Sequence, residues 1–157
     1  MDKDSFFMEQ ALLEAKKAYK SKEVPIGAVV ECNGEIIGRG YNRRESDNDP
    51  TAHAEMLAIK EAAQNREDWR LEGCSIYVTV EPCIMCAGAI QKARLKRLIY
   101  GTESDKDGAS GTIMNILSDN RLNHQVEIKS GVLKNECCDL MKKFFKELRS
   151  GRMGESG

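Results

Sequence analysis

The sequence predicts an α/β domain in which helices cover both faces of a central sheet. The first observation is Asn33-Gly34 between two apolar runs, a strong signal for a two-residue β-hairpin. The second is a strand–helix–strand pattern over residues 75–100, whose two strands we expect to pair in parallel with a right-handed crossover. The third is helical periodicity near both ends of the chain, over residues 5–20 and 136–149.

The remaining elements follow from apolar periodicity and from the turn residues at their ends. They are, in chain order, strands at 26–30 and 35–41, a helix at 52–65, a strand at 75–80, a helix at 83–93, a strand at 98–100, a short helix near 114–117 and a strand near 125–129. A chain of 157 residues fits one domain with one sizeable core. We expect residues 1–150 to form that domain and residues 151–157 to form a flexible tail.

The composition is that of an ordinary globular protein, with 41% hydrophobic and 31% charged residues. No apolar run is long enough to cross a bilayer, so we expect no membrane partner. Residues 1–5 have neither the basic start nor the apolar stretch of a secretory signal, and we therefore expect a cytoplasmic protein. Because the formal net charge is only −1, binding to a nucleic acid would require a local basic patch.

Two short segments supply residues with metal-binding chemistry. Residues 51–55 are Thr-Ala-His-Ala-Glu, and residues 81–86 are Glu-Pro-Cys-Ile-Met-Cys. His53, Cys83 and Cys86 offer the nitrogen and sulfur ligands that zinc prefers, and three protein ligands leave the fourth tetrahedral position open, as in catalytic sites. Each segment starts a predicted helix, where the helix dipole favours thiolates.

Glu55 stands two residues after His53, so it can lie beside a metal ion without binding it. A carboxylate in that place can take a proton from water and pass it to a substrate. We therefore interpret Glu55 as the catalytic acid–base group.

Each motif alone has a less specific explanation. A lone Cys-x-x-Cys is commonly redox-active or part of a structural zinc site, and a lone His-x-Glu carries almost no information. Their joint occurrence, with Pro82 before the first cysteine, is much more specific. A non-enzymatic zinc module that binds nucleic acid stays an alternative, and it would need a fourth protein ligand such as Cys74 or Cys138.

Further stretches extend the similarity of the chain to one family. They are residues 23–28 (Glu-Val-Pro-Ile-Gly-Ala), 50–55, 77–89, 122–124 (Leu-Asn-His), 131–133 (Gly-Val-Leu) and 144–145 (Phe-Phe). Over residues 7–149 the sequence resembles the bacterial tRNA-specific adenosine deaminases, within the cytidine-deaminase-like superfamily. The zinc segments mark the superfamily, whereas the Asn-His and Phe-Phe pairs point to the tRNA branch.

The resemblance implies a three-layer α/β/α cytidine-deaminase-like fold with a central mixed five-stranded sheet. It implies one zinc ion per subunit and hydrolytic conversion of adenosine to inosine at the wobble position of a tRNA anticodon. It also implies a homodimer whose active sites lie near the subunit interface. For the substrate it implies Asn42 at the flipped nucleotide, Ile26 and the backbone at Ala54 in the base pocket, and Lys106, Asn123, Phe145 and Arg149 at the anticodon loop.

Ser104 departs from the family pattern, in which that position is often acidic; here Asp105 follows instead. The main alternative within the superfamily is a deaminase of free guanine, cytosine or a small nucleoside, because its zinc site would be the same. Activity on a free base, with none on an anticodon stem-loop, would favour that alternative.

Overall fold

The computed structural model describes residues 1–151, which are built around one five-stranded sheet. Its strands are β1 (Gly27–Cys32), β2 (Glu35–Tyr41), β3 (Ser75–Val80), β4 (Arg97–Thr102) and β5 (Glu127–Lys129). They lie in the order β2-β1-β3-β4-β5, with β1 antiparallel to both of its neighbours and β3, β4 and β5 parallel. The predicted mixed five-stranded sheet is therefore confirmed.

Helices cover both faces of this sheet. Those in the described residues are α1 (Lys3–Lys20), α2 (Ala54–Arg66), α3 (Ile84–Lys92) and α4 (Lys134–Arg149). Buried residues of α2 and α3 form one apolar cluster with Val30 and Leu98, whereas α1 and α4 pack on the opposite face against Val29 and Ile99. Because side chains alternate along a strand, neighbouring strand residues serve different layers. The predicted three-layer architecture is confirmed.

The strand register brings several chain segments to one edge of the sheet. Gly27 at the start of β1 pairs with Tyr41 at the end of β2, and Ala28 pairs with Val78 near the end of β3. The segments that follow β2, β3 and β4 therefore all leave the sheet at this edge, and α2 and α3 begin there. The connection from β3 through α3 to β4 is parallel, as predicted.

Several predicted bounds differ from the structure by one or two residues, and two of the differences have an identifiable cause. The helix predicted from residue 52 begins at Ala54, because His53 serves as its N-cap with an extended backbone. The short helix predicted near 114–117 was wrong: that segment forms turns, with an isolated bridge between Ser110 and Asn115. Long-range hydrogen bonds to Glu81 fix the preceding residues in another conformation.

Two further expectations concern the membrane and the end of the chain. None of the helices in the described part of the chain is long and apolar enough to cross a membrane. The last of these helices ends at Arg149. From residue 152 onward, the expected tail lies outside the described residues.

Candidate metal centre and substrate cavity

The two metal-binding segments leave the same edge of the sheet, and each starts a helix. His53 is the N-cap of α2, and Cys83 is the N-cap of α3. Cys86 lies in the first turn of α3, so the Cys-x-x-Cys spacing places both sulfurs at one helix end, as predicted. The first N–H groups of a helix have no partner within it, and their partial positive charge favours thiolates.

The spacing of the three ligand atoms fits a tetrahedral zinc ion. The Nδ1 atom of His53 lies 3.7 Å from the Sγ atom of Cys83 and 3.6 Å from that of Cys86. Zn–N bonds of about 2.0–2.1 Å and Zn–S bonds of about 2.3 Å place N and S about 3.6 Å apart in a tetrahedron. All three ligand atoms lie within 4.8 Å of one another.

Among residues 1–151, no fourth protein side chain belongs to this cluster. The Sγ atom of Cys74 contacts the Arg66 guanidinium at 2.8 Å in the core, and Cys138 lies on α4. The second histidine, His124, uses Nε2 to donate to the Leu95 carbonyl at 2.7 Å. The closed four-ligand site that a structural zinc module needs is therefore not built by these side chains.

A hydrogen bond between the two cysteines shifts their pKa values in opposite directions. A hydrogen bond from the Cys86 thiol lowers the pKa of Cys83 to about 3, and the same contact raises the pKa of Cys86. The hydrogen bond to Cys83 also raises the pKa of His53. The cluster thus favours a thiolate at Cys83, and the thiolate is the form of cysteine that binds metals.

Glu55 lies in the first turn of α2, where its side chain is buried. Burial raises the pKa of its carboxyl group to about 7. A carboxyl group with such a pKa can both accept and return a proton near neutral pH, as a general acid–base group must.

A cavity of about 750 Å³ opens beside the metal cluster. His53, Glu55 and Cys83 line it together with residues from the loop after β2, the segment after β4, and α4. Its volume lies within the range of about 300–1,000 Å³ that is typical of ligand pockets. The cluster and Glu55 therefore face a space that can hold a substrate.

Six of the seven residues predicted to contact the substrate line this cavity. They are Ile26, Asn42, Ala54, Lys106, Phe145 and Arg149. The Asn42 amide donates to the Val24 carbonyl at 3.2 Å and accepts from the Arg44 backbone at 3.1 Å, which leaves one N–H and one lone pair for a ligand. Ala54 is the first residue of α2, so its backbone N–H has no partner within the helix.

The adjacent phenylalanines of α4 face different environments. Phe144 is buried and packs edge-on to Tyr19, with ring centroids 6.2 Å apart. Phe145 is 37% exposed and lines the cavity. Phe144 therefore belongs to the packing of α4, whereas the Phe145 ring is available to a ligand.

Asn123 does not line the cavity and is exposed in the segment before β5. The next residue, His124, holds that segment in place. Its imidazole donates to the Leu95 carbonyl, and its own carbonyl accepts a 3.5 Å hydrogen bond from the Gln91 side chain. The contact of Asn123 with RNA stays a prediction.

Two buried glutamates hold the loops around the cavity, and neither was predicted from the sequence to do so. The Glu23 carboxylate accepts hydrogen bonds from the backbone of Glu45 at 3.1 Å and from the Ser46 hydroxyl at 2.7 Å, in the loop after β2. Glu81 does the same for the loop after β4. A usable signal exists: each glutamate stands one or two residues before a proline, next to a buried strand.

The chain matches a family model for most of its length. Residues 1–102 match the model described as the cytidine and deoxycytidylate deaminase zinc-binding region. These residues include both metal-binding segments. The chain therefore belongs to this family of zinc-binding deaminases, and zinc is its metal cofactor.

Comparison with an individual relative shows to which branch of the family the chain belongs. The tRNA-specific adenosine deaminase of Bacillus subtilis (strain 168) is 51% identical over 149 residues, which are 95% of this chain and 92% of that one. Within the family, the chain belongs with the tRNA-specific adenosine deaminases.

Solved structures agree on the fold. One from a study of A-to-I editing by tRNA:A34 deaminases at the wobble position of transfer RNA has a TM-score of 0.83 at 42% identity, covering 86% of this chain and 98% of that one. A guanine deaminase from Bacillus subtilis has a TM-score of 0.63 at 36% identity, covering 71% of each chain. The predicted cytidine-deaminase-like fold is thus confirmed.

Proposed function

We propose that the protein is a zinc-dependent hydrolase that converts adenosine to inosine at the wobble position of a tRNA anticodon. The observation that carries this proposal is a cluster of three side chains that fits zinc, with no fourth ligand among residues 1–151, beside a buried glutamate that lines the same cavity. In this proposal His53, Cys83 and Cys86 bind the zinc ion, and Glu55 is the catalytic residue.

The proposed chemistry adds water to C6 of adenine and releases ammonia. Zinc supplies Lewis-acid chemistry when bound, which can lower the pKa of water from about 15.7 to about 7. Glu55 accepts one proton from the attacking water and delivers it to N1 of the ring. It then carries the second proton to the amine as the C6–N bond breaks, so that adenosine and water become inosine and ammonia. The pKa of Glu55, raised by burial to about 7, suits both transfers.

A base reaches this cavity only after it has left the stack, as in other enzymes that modify bases. We propose that the free amide positions of Asn42 and the backbone N–H of Ala54 hydrogen-bond the extruded nucleotide. Ile26 supplies an apolar wall for the base. The exposed ring of Phe145 offers a surface on which an unstacked anticodon base can stack.

Cations around the cavity are free to contact phosphates. Arg44, Lys106, Lys142 and Arg149 line it, and none of them forms an ion pair within 4.0 Å in the described part of the chain. By contrast, Arg43, one residue before Arg44, pairs with Asp47. Glu103, Asp105 and Asp107 line the same cavity, so its lining carries both signs of charge. We propose that the four cations are the groups that contact phosphates.

We also propose that the protein is a homodimer. Ile84 directly follows the ligand Cys83 and is 61% exposed, and Ile113 and Met114 are also largely exposed. Their loop reaches the same helix start, because the backbone N–H of Ala109 donates to the Pro82 carbonyl at 3.0 Å. Contiguous exposed apolar patches mark interaction surfaces, and we propose that these side chains form one. Sedimentation should give the dimer mass for the wild type and a monomer for Ile84→Asp.

Two further points of organisation belong to the proposal. Residues 1–150 act as one domain, because both apolar clusters pack on a single sheet. We also propose a cytoplasmic location, which agrees with a tRNA substrate.

The test of this function is inosine formation in an anticodon stem-loop with adenosine at the wobble position, measured by mass spectrometry. Free guanine, cytosine and adenosine are assayed in parallel. Glu55→Gln should form inosine about 10²- to 10⁴-fold more slowly. Glu31→Gln should behave as wild type, because Glu31 is a buried glutamate of the β1–β2 hairpin that does not line the cavity. Deamination of free guanine by a zinc-loaded enzyme that leaves the stem-loop unchanged would replace the tRNA proposal with the free-base alternative.

A further inference from the structure

The carboxylate of Glu81 is buried and fully occupied by hydrogen bonds. Its Oε1 atom accepts from the Ser104 backbone at 3.2 Å and from the Thr112 hydroxyl. Its Oε2 atom accepts from the backbones of Ser110 and Thr112, both at 3.0 Å. A carboxylate offers about four lone-pair positions, and all four are used. Glu81 is therefore not free to move protons, although it stands only two residues before the ligand Cys83.

The four donors belong to the loop that follows β4, and the first part of that loop lines the cavity. Ser104 organises a tight turn over residues 104–108. Its hydroxyl accepts from the Asp107 backbone at 3.3 Å, and its carbonyl accepts from the Gly108 backbone at 3.0 Å. This turn carries Lys106. Among the hydrogen bonds of the described residues, only the one from the Ser104 backbone to Glu81 joins residues 104–108 to the end of β3.

Gly108 packs directly against the same carboxyl group. A Cβ atom at this position would lie 2.5–2.6 Å from three carboxyl atoms of Glu81, which is too close for any side chain. The turn thus meets Glu81 through a hydrogen bond at one end and through backbone contact at the other.

We propose that Glu81 is a positioning residue for the RNA: through Ser104 it holds the turn 104–108, and with it Lys106, in the conformation that binds the anticodon loop. This inference rests on the proposed function. Holding the turn in advance lowers the ordering cost of binding, so the effect falls on RNA affinity and not on the chemical step.

Glu81→Gln tests this inference selectively. The glutamine oxygen can replace Oε2 and keep the bonds from Ser110 and Thr112. The glutamine NH2 group then stands where Oε1 was; the Thr112 hydroxyl can rotate to accept from it, but the Ser104 N–H cannot. The variant therefore releases Ser104 while the rest of the loop stays bound.

Amide hydrogen exchange gives a readout that does not depend on activity. In Glu81→Gln we expect the amides of residues 104–108 to exchange at least about tenfold faster, because their anchoring hydrogen bond is lost, with little change at 110–112. Glu31→Gln is the matched buried-glutamate control and should leave both segments unchanged. Gly108→Ala, which pushes on the same carboxylate from the other end, should also accelerate exchange in the turn.

Binding and chemistry are then separated with one wobble-adenosine stem-loop under single-turnover conditions. We expect the dissociation constant to rise about tenfold in Glu81→Gln and Gly108→Ala, with the rate at saturation within about twofold of wild type and with full zinc content. Unchanged exchange and affinity in both variants would overturn the inference, as would a fall in the saturated rate alone. If the wild type makes no inosine, the proposed function fails instead, and the exchange data still decide whether Glu81 holds the turn.

Discussion

The two sides of the cavity are built differently. The metal side consists of His53, Glu55 and the two cysteines, which lie on the first turns of two helices that begin at the end of the sheet. The side that we propose binds RNA, called the RNA side here, consists of the turn 104–108 and the cavity-lining residues of α4, whose side chains are more exposed. The metal side is held by regular secondary structure, whereas the turn is held by one long-range hydrogen bond, from the Ser104 backbone to the Glu81 carboxylate. This difference indicates that chemistry and RNA binding can be damaged separately.

The largest difference between loss of rate and loss of RNA affinity is expected for a substitution of Glu55. Glu55→Gln removes the proton carrier and keeps the shape of the side chain, so the saturated rate should fall by about 10²- to 10⁴-fold. Zinc content and stem-loop affinity should match the wild type. The check is single-turnover inosine formation together with metal analysis, and a variant that loses its zinc would show that Glu55 holds the metal side together and does more than move protons.

The adjacent phenylalanines sharpen the comparison on the RNA side. Phe145→Ala removes the exposed ring that we propose stacks on a base. Such stacking is worth about 1–3 kcal/mol, so the dissociation constant should rise by about 5- to 150-fold at an unchanged saturated rate. Phe144→Ala removes a buried ring and should destabilise the fold by about 3–5 kcal/mol. Fluorescence anisotropy and denaturant unfolding measure the two quantities; equal affinity losses in both variants would mean that the rings do not have separate roles.

A smaller effect is expected at Arg149, which forms no ion pair in the described residues and lines the cavity. If it contacts one phosphate, Arg149→Ala should reduce the slope of log affinity against log salt by about 0.7–0.9. Titrations at several salt concentrations provide this slope. Arg121, which is paired with Asp119 and lies outside the cavity, is the matched control: Arg121→Ala should leave the slope as it is.

A substitution of Asp4 should change the stability of the fold and leave both the chemistry and the RNA affinity unchanged. Burial raises its pKa, but hydrogen bonds from Arg97, Lys129 and Tyr77 outweigh burial and lower the pKa below the ordinary 3.8. Because the folded-state pKa is the lower one, the ionised carboxylate stabilises the fold at neutral pH, and this contribution is lost as the pH falls below about 4.

Asp4→Asn should therefore cost about 2 kcal/mol of unfolding free energy at pH 7. The difference between variant and wild type should shrink in acid. Urea unfolding at pH 7 and pH 3 measures this difference, and a constant difference at both pH values would contradict the assignment. Activity at pH 7 should be unchanged.

The contrast between regular secondary structure on the metal side and long-range bonds on the RNA side also explains what could be predicted from the sequence. β2 and β3 have their predicted bounds, because hairpin residues and apolar alternation are local signals. Asn33 and Gly34 both have positive φ, as the hairpin turn requires. The zinc ligands were found because each ligand segment is short and contiguous.

The RNA side could not be predicted in the same way. The segment near 114–117 has a local pattern that favours a helix, but Glu81, about 30 positions earlier in the sequence, takes the donors of Ser110 and Thr112. No local pattern contains such a bond. The roles of Asn123 and Arg149 came from resemblance alone, and only Arg149 lines the cavity.

The most direct test of separate metal and RNA sides compares Glu55→Gln and Phe145→Ala on one wobble-adenosine stem-loop. The dissociation constant and the saturated single-turnover rate of inosine formation are measured for each variant. We expect Glu55→Gln to bind the stem-loop as the wild type does and to form inosine about 10²- to 10⁴-fold more slowly at saturation. We expect Phe145→Ala to bind more weakly and, at saturation, to form inosine at the wild-type rate. Loss of the same quantity in both variants would contradict the division between a metal side and an RNA side.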